Sequence, residues 1–234
     1  MMIEQNLYKI KENIFNICAS ANRNPAEIKL IAVSKNFGVR HIEEAYAAGQ
    51  IDFGENRPQE LEGKSKIIDS NICWHFIGNL QKNKVKYVVK TAEFIHSVNS
   101  LELAEEINKR SEKNDKVQKI LVEINTSEEE SKQGLTKDSE IEKVIYNIGD
   151  LKNIKLVGLM TMAPYTEDEN KIRKSFVFLR MLKDKFVQNG VELKHLSMGM
   201  SSDYKIAIEE GSTMIRIGSA IFGDRDYSKS WREL

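Results

Sequence analysis

The sequence predicts a single (β/α)8 TIM barrel with an extra helix at its N-terminus. Three observations carry this. Eight short apolar runs, mostly β-branched, recur along the chain; helix-like stretches alternate with them; and no linker or low-complexity tract divides the 234 residues. Single α/β barrels routinely have about 250 residues. A doubly wound open sheet is the alternative, but no GxGxxG follows the first strand to support it.

Taken in order, residues 4–21 place Leu7, Ile10, Ile14, Ile17 and Cys18 at helical spacing. The strand-like runs are 29–34 (KLIAVS), 51–54 (IDFG), 73–78 (CWHFIG), 94–98 (FIHSV), 119–125 (KILVEIN), 156–162 (LVGLMTM), 196–200 (LSMGM) and 214–219 (MIRIGS). Helices are expected at 39–48, 100–112, 138–147, 167–189 and 203–210. Gly49, Gly190 and Gly211 stand at or near helix ends, where a left-handed C-cap is expected. Met160, Met162, Met198 and Met200 alternate along two strands and read as core packing.

The chain carries 35 Lys+Arg and 35 Asp+Glu, a net charge of zero, which argues against a general nucleic-acid binder. Apolar content of 41% with three prolines argues against disorder. No apolar run approaches the ~18 residues of a membrane helix. The opening MMIEQNLYKIKENIF interleaves charges with apolar residues, unlike a signal peptide. Cys18 and Cys73 form no CxxC and are expected as reduced thiols of a cytoplasmic protein. No HxH or HExxH spacing supports a metal site. His75 and His96 fall inside strands and read as core or supporting residues, although His75 is within reach of a ligand. His195 falls at the start of the seventh strand, the wrong end for a site.

A barrel's active site lies at the C-terminal ends of its strands. Those ends carry Lys35, Asn56, Gly78, Ser97, Asn125, Met162, the Met200-Ser201-Ser202 turn and Gly218-Ser219. Lys35 follows an apolar strand. Desolvated in the barrel mouth, its amine is a nucleophile for an aldehyde; the plainer reading is a snorkelling lysine. Ser201 or Ser202 is placed to cap helix 203–210, whose free N–H groups then make an anion site. Gly218 allows close backbone approach after the eighth strand, and the loops after strands seven and eight of barrels commonly bind phosphate. An ordinary cap and a packing glycine are the alternative. Arg216, between Ile215 and Ile217, must find acceptors. Glu123 in the fifth strand or a ligand atom would serve, and spacing does not choose between them.

The segments LIAVSK (30–35), FGEN-RPQE (53–60), WHFIGNLQKNK (74–84), VEINTSEEESKQGL (122–135), GLMTMAP (158–164) and LSMGMSSDYKIAIEEGSTMIRIGSAIFGDRDY (196–227) resemble the pyridoxal phosphate homeostasis proteins. They span nearly the whole chain in order. That family resembles the barrel domain of alanine racemases and binds pyridoxal 5′-phosphate (PLP). The resemblance implies a barrel of the alanine racemase N-terminal type in which Lys35 holds PLP as a Schiff base. It places Asn56 beside the cofactor ring. Ser201, Gly218 and Ser219 would hold the phosphate with Met200 alongside, and Arg216 would face the pyridine nitrogen. Two positions depart from the family pattern. Ser219 replaces a usual Thr and keeps the hydroxyl. Arg57-Pro58 replaces an aromatic or aliphatic residue followed by Val, and Pro58 suits a helical first turn.

The resemblance implies a PLP carrier acting in cofactor homeostasis, with PLP-dependent apoenzymes as recipients and no metal. The competing reading is a PLP enzyme such as an amino-acid racemase. An arginine at the ring nitrogen weakens the electron sink that catalysis uses. Racemisation also needs a second base, which alanine racemases take from a tyrosine in a separate domain. The chain stops at Leu234, soon after the eighth strand, so no such domain is expected. A third reading, a non-PLP aldolase using Lys35, leaves Arg216 and the phosphate loop less well explained. One barrel domain over 1–234, monomeric, is the expected organisation.

Overall fold

The computed structural model describes residues 2–68, 71–127, 129, 132–225, 228 and 230–233. Residues 128, 130 and 131 of one family-like segment and 226 and 227 of another lie outside this set.

Apolar residues at every third or fourth position make Met2–Ser20 the helix α1, with Ile3, Leu7, Ile10, Ile14 and Cys18 on its buried face. The repeating units follow in order. They are β1 (Lys29–Val33) and α2 (Val39–Ala47), β2 (Asp52–Glu55) and α3 (Pro58–Ile67), β3 (Cys73–Phe76) and α4 (Val85–Val88), and β4 (Phe94–Val98) and α5 (Leu101–Glu112). They continue with β5 (Gln118–Glu123) and α6 (Asp138–Ile148), β6 (Ile154–Met160) and α7 (Glu169–Gln188), β7 (His195–Ser197) and α8 (Tyr204–Glu209), and β8 (Met214–Ile217) and α9 (Ser219–Phe222). All neighbours pair in parallel, and β1 closes on β8 with Ile31 opposite Arg216.

Local chemistry sets the helix ends. Ser100 Oγ accepts from Leu103 N at the start of α5, and Asp168 caps α7 through Asn170 N and Lys171 N. Pro58 opens α3 at a position that needs no N–H, as its sequence context implied. Gly49, Gly190 and Gly211 have φ of +80°, +87° and +95° and end their helices as expected.

The expected barrel and N-terminal helix are present, with three helices that periodicity did not reveal. α4 and α9 have four residues each, too few for a period. α3 buries Glu60, Leu61 and Lys64, so charges occupy its inward face and hide its amphipathic pattern. Most strands end one to three residues before the apolar runs do. Ser219 is therefore the first residue of α9, and Gly218 turns the chain between β8 and that helix.

The main core fills the space between strands and helices, and α1 closes it by lying against α2, α8 and α9. Inside the barrel a small apolar cluster of Ile31, Phe94, Leu121, Val157, Met160 and Met214 shares the space with buried polar side chains. Met160 and Met198 are core residues, but Met162 and Met200 line the barrel mouth instead. Among the described residues no helix is long and apolar enough to cross a membrane, and Cys18 and Cys73 are free thiols.

Candidate functional site

A cavity of about 660 Å³ opens at the C-terminal ends of the strands. Lys35, Asn56, Met200, Ser201, Arg216, Gly218 and Ser219, all expected from the sequence, line it together. So do Glu123, Tyr165 and Arg225.

Lys35 stands just past β1 on a segment pinned from both sides. Lys64 of α3 is fully buried, and its ammonium donates to Ser34 O at 2.9 Å, Glu55 Oε1 at 2.8 Å and Glu60 Oε2 at 3.0 Å. Ser34 Oγ donates to Glu55 Oε1 at 2.6 Å, and Asn36 N donates to Glu60 Oε2 at 2.9 Å. The residues before and after Lys35 are thus both tied to one buried ion cluster. Burial pushes the Glu55 carboxyl above its usual range, and the Lys64 ammonium opposes the rise. Sequence reading missed this cluster, because Glu60 and Lys64 look like the solvated charges of a helix face and Glu55 like a polar strand end.

Arg216 comes from β8 and is buried. Nη1 donates to Ser197 Oγ at 2.7 Å, and Nη2 donates to the Thr161 carbonyl at 2.9 Å. These bonds use two of its five N–H groups. Both partners are neutral acceptors that the sequence did not suggest, and no hydrogen bond joins Arg216 to Glu123 among the described residues. Burial lowers the guanidinium pKa to about 10, against the attraction of Asp203 and Glu123, so it remains a cation at neutral pH. Burial likewise pushes the Glu123 carboxyl up to about 7, against Arg216. Among the described residues that line the mouth, Lys35, Arg216 and Arg225 face one carboxyl, Glu123, which resists ionisation, a field that favours an anion.

The β7–α8 and β8–α9 turns lie side by side at the mouth. Ser201 Oγ and Ser219 Oγ lie 3.5 Å apart. The expected serine cap of α8 is not formed. Asp203 occupies the N-cap position and folds back to accept from Met200 N at 2.5 Å. That bond tightens the turn and leaves the Ser201 hydroxyl directed to the mouth rather than to the helix end. Gly199 has φ of +99°, and a Cβ there would sit 2.6 Å from Ala207 Cβ, so only glycine makes this turn. Across the cavity, Asn56 Oδ1 is buried and finds no partner among the described residues. A buried acceptor of this kind calls for a ligand donor or water. Gly78 packs against the Asn56 carbonyl, where a Cβ would stand 2.1 Å from the oxygen.

At the opposite end of the barrel a second cavity of about 540 Å³ is lined by Lys29, Asp52, His195 and Thr213. His195 is at that end, as its place in the sequence implied. Asp52, Cys73 and His75 converge there, a grouping that spacing did not show.

The sequence match places this eight-stranded parallel barrel in the alanine racemase N-terminal class. The family described as "Alanine racemase, N-terminal domain" matches residues 5–226. Within that class the chain belongs to the pyridoxal phosphate homeostasis protein family. It is 42% identical over 225 residues to the pyridoxal phosphate homeostasis protein of Aquifex aeolicus (strain VF5), covering 95% of this chain and 98% of that one. It is 36% identical to the Escherichia coli (strain K12) protein of the same name, covering 97% and 98%. The structure of PipY from Synechococcus elongatus with PLP bound superposes with a TM-score of 0.83 at 32% identity, covering 94% of this chain and all of that one. An alanine racemase of Clostridium difficile 630 shares the fold alone, with a TM-score of 0.75 at 19% identity over 99% of this chain and 58% of the racemase.

Proposed function

We propose that the chain is one PLP-binding barrel domain over residues 1–234 that holds the cofactor covalently on Lys35 and serves intracellular PLP homeostasis. One observation carries this reading: Lys35, Arg216 and the Ser201–Ser219 pair line a single cavity of about 660 Å³. The residues fit the group. When bound, PLP supplies an aldehyde that condenses with an amine, releasing water, and a phosphate dianion. Lys35 Nζ is the amine. Ser201 and Ser219 donate to the phosphate, and Gly218 lets the backbone approach it. Met200 packs alongside, and the unpartnered Asn56 Oδ1 accepts beside the ring. Arg216 donates to the pyridine nitrogen.

Arg216 also favours the carrier reading over the enzyme reading. A guanidinium whose pKa is about 10 does not hand a proton to a pyridine nitrogen at neutral pH. Beside PLP, Arg216 would leave the ring nitrogen unprotonated, which would weaken the electron sink. The protein is on this reading a cytoplasmic monomer that passes PLP to PLP-dependent apoenzymes, with no efficient reaction of its own and no nucleic-acid partner.

The test compares PLP with pyridoxal, which lacks the phosphate. The parent protein binds PLP more tightly. Ser201→Ala loses about 1–3 kcal/mol for PLP and nothing for pyridoxal. Equal affinity of the parent for the two ligands would overturn the phosphate assignment. Incubation of the loaded protein with L-alanine in D₂O tests the carrier reading. Racemisation near ~1 s⁻¹, an ordinary enzyme rate, would overturn it.

A further inference from the structure

The cofactor reading leaves two buried histidines unexplained. His75 of β3 and His96 of β4 have no exposed surface, and their rings join through His75 Nδ1 and His96 Nε2 at 2.9 Å. His75 Nε2 lies 2.9 Å from Asp52 Oδ1 of β2. His96 Nδ1 lies 2.9 Å from Ser197 Oγ of β7, the same oxygen that accepts from Arg216 Nη1 of β8 at 2.7 Å. Five side chains on five strands form one unbroken hydrogen-bonded chain. It runs from the N-terminal end of the barrel to the cofactor cavity.

The two ends fix its direction. A guanidinium only donates and a carboxylate only accepts. Burial would raise the Asp52 carboxyl, but hydrogen bonds from His75 and Lys29 outweigh it and hold the carboxyl at about 2, so Asp52 is ionised. Burial also lowers the pKa of both histidines, which keeps them neutral. His75 must then carry its proton on Nε2 to meet Asp52. Its Nδ1 is left to accept, so His96 also carries its proton on Nε2. His96 Nδ1 accepts the Ser197 hydroxyl hydrogen, and Ser197 offers Arg216 a lone pair. The reverse order would set the His75 Nε2 lone pair against a carboxylate.

We propose that His75, His96 and Ser197 are positioning residues for Arg216. The chain removes the rotational freedom of the Ser197 hydroxyl, so the guanidinium has one seat between Ser197 Oγ and the Thr161 carbonyl. From that seat its remaining N–H groups would serve the ring nitrogen of a cofactor held in the cavity that Arg216 lines. Without the His96 acceptor, the Ser197 hydrogen is free to turn toward Arg216 and a buried donor loses its partner. This rests on the PLP reading above, and the tests separate the two.

The first measurement is ¹⁵N–¹H NMR of the histidine side chains before PLP is added. Both His75 and His96 are expected as Nε2–H tautomers; an Nδ1–H tautomer at either would overturn the chain. The second compares PLP with its analogue in which C–H replaces the ring nitrogen. His96→Leu is expected to weaken PLP roughly tenfold and leave the carbon analogue within about twofold. His96→Gln, whose amide oxygen and nitrogen can stand in for the two ring nitrogens, is expected to restore PLP affinity. Ser197→Ala repeats the test if the leucine variant does not fold. Equal losses for both ligands mean general loosening and overturn the positioning role, as does a parent that binds the two ligands equally. A parent that binds neither overturns the cofactor reading, and the tautomers then decide the chain by themselves.

Discussion

Replacing Lys64 by alanine removes the cation that two buried carboxylates share. The ammonium makes three hydrogen bonds, to Ser34 O, Glu55 Oε1 and Glu60 Oε2, with no solvent exposure of its own. Glu60 keeps Arg57 at 3.5 Å, but among the described residues Glu55 keeps only the Ser34 hydroxyl. Leaving a buried charge without its partner costs about 3–5 kcal/mol. For a domain of this size each kcal/mol moves Tm by about 2–4 °C, so the expected fall is about 6–20 °C. Urea unfolding followed through Trp74 and Trp231 reads the loss directly, with an unchanged m-value if only stability has changed. Ser34 and Asn36 flank Lys35, so PLP affinity falls in the same variant. Lys64→Met combined with Glu55→Gln removes charge from both partners and keeps their volume, and it recovers most of the loss. A loss below about 1 kcal/mol, or a double variant no better than Lys64→Ala, would refute the reasoning.

Three further outcomes are expected. Asp52 is held at about 2 against an ordinary 3.8, so it contributes about 2 kcal/mol that is present above pH ~4 and lost as pH falls through 2; urea midpoints at several acid pH values should fall more steeply for the parent than for Asp52→Asn. Glu123 is raised from 4.5 to about 7, so its contribution of about 3 kcal/mol is present below pH ~4.5 and lost as pH rises through 7; Glu123→Gln should abolish that decline, and an unchanged profile would count against the burial argument. Gly78→Ala places a Cβ 2.1 Å from the Asn56 carbonyl and should cost about 1–3 kcal/mol together with PLP affinity, whereas at Gly218→Ala the nearest atom is the flexible end of Arg225 at 3.0 Å and the fold should hold; thermal melts and PLP titrations of the two variants make the comparison.

The barrel is legible in the sequence because its strands are short apolar runs at regular spacing, and each is buried on both faces. The mouth is legible because strand ends in this fold carry the chemistry, and Lys35, Ser201 and Gly218 all fall at such ends. The Lys64 cluster is not legible, because Glu55, Glu60 and Lys64 give no local sign that they are inside. Burial of α3's charged face depends on β2 and the Lys35 turn packing against it. The Asp52-to-Arg216 chain is invisible for a related reason. His75 and His96 are visible as strand histidines, but their partners lie on β2, β7 and β8 and meet only when the barrel closes. Periodicity does carry a faint signal: His75, His96 and Arg216 occupy alternate, inward positions where apolar residues would be expected. The misplaced α8 cap has a plainer cause. Three consecutive residues, Ser201, Ser202 and Asp203, are all good N-cap types, and only the backbone decides which one takes the position.

The central claim is that Lys35 carries the cofactor. Incubation of the purified protein with PLP, borohydride reduction and mass mapping of its peptides tests it most directly. The expected result is a single pyridoxyl-type label on the peptide containing Lys35, absent from Lys35→Ala. Label on another lysine, or none after incubation with PLP, would contradict it.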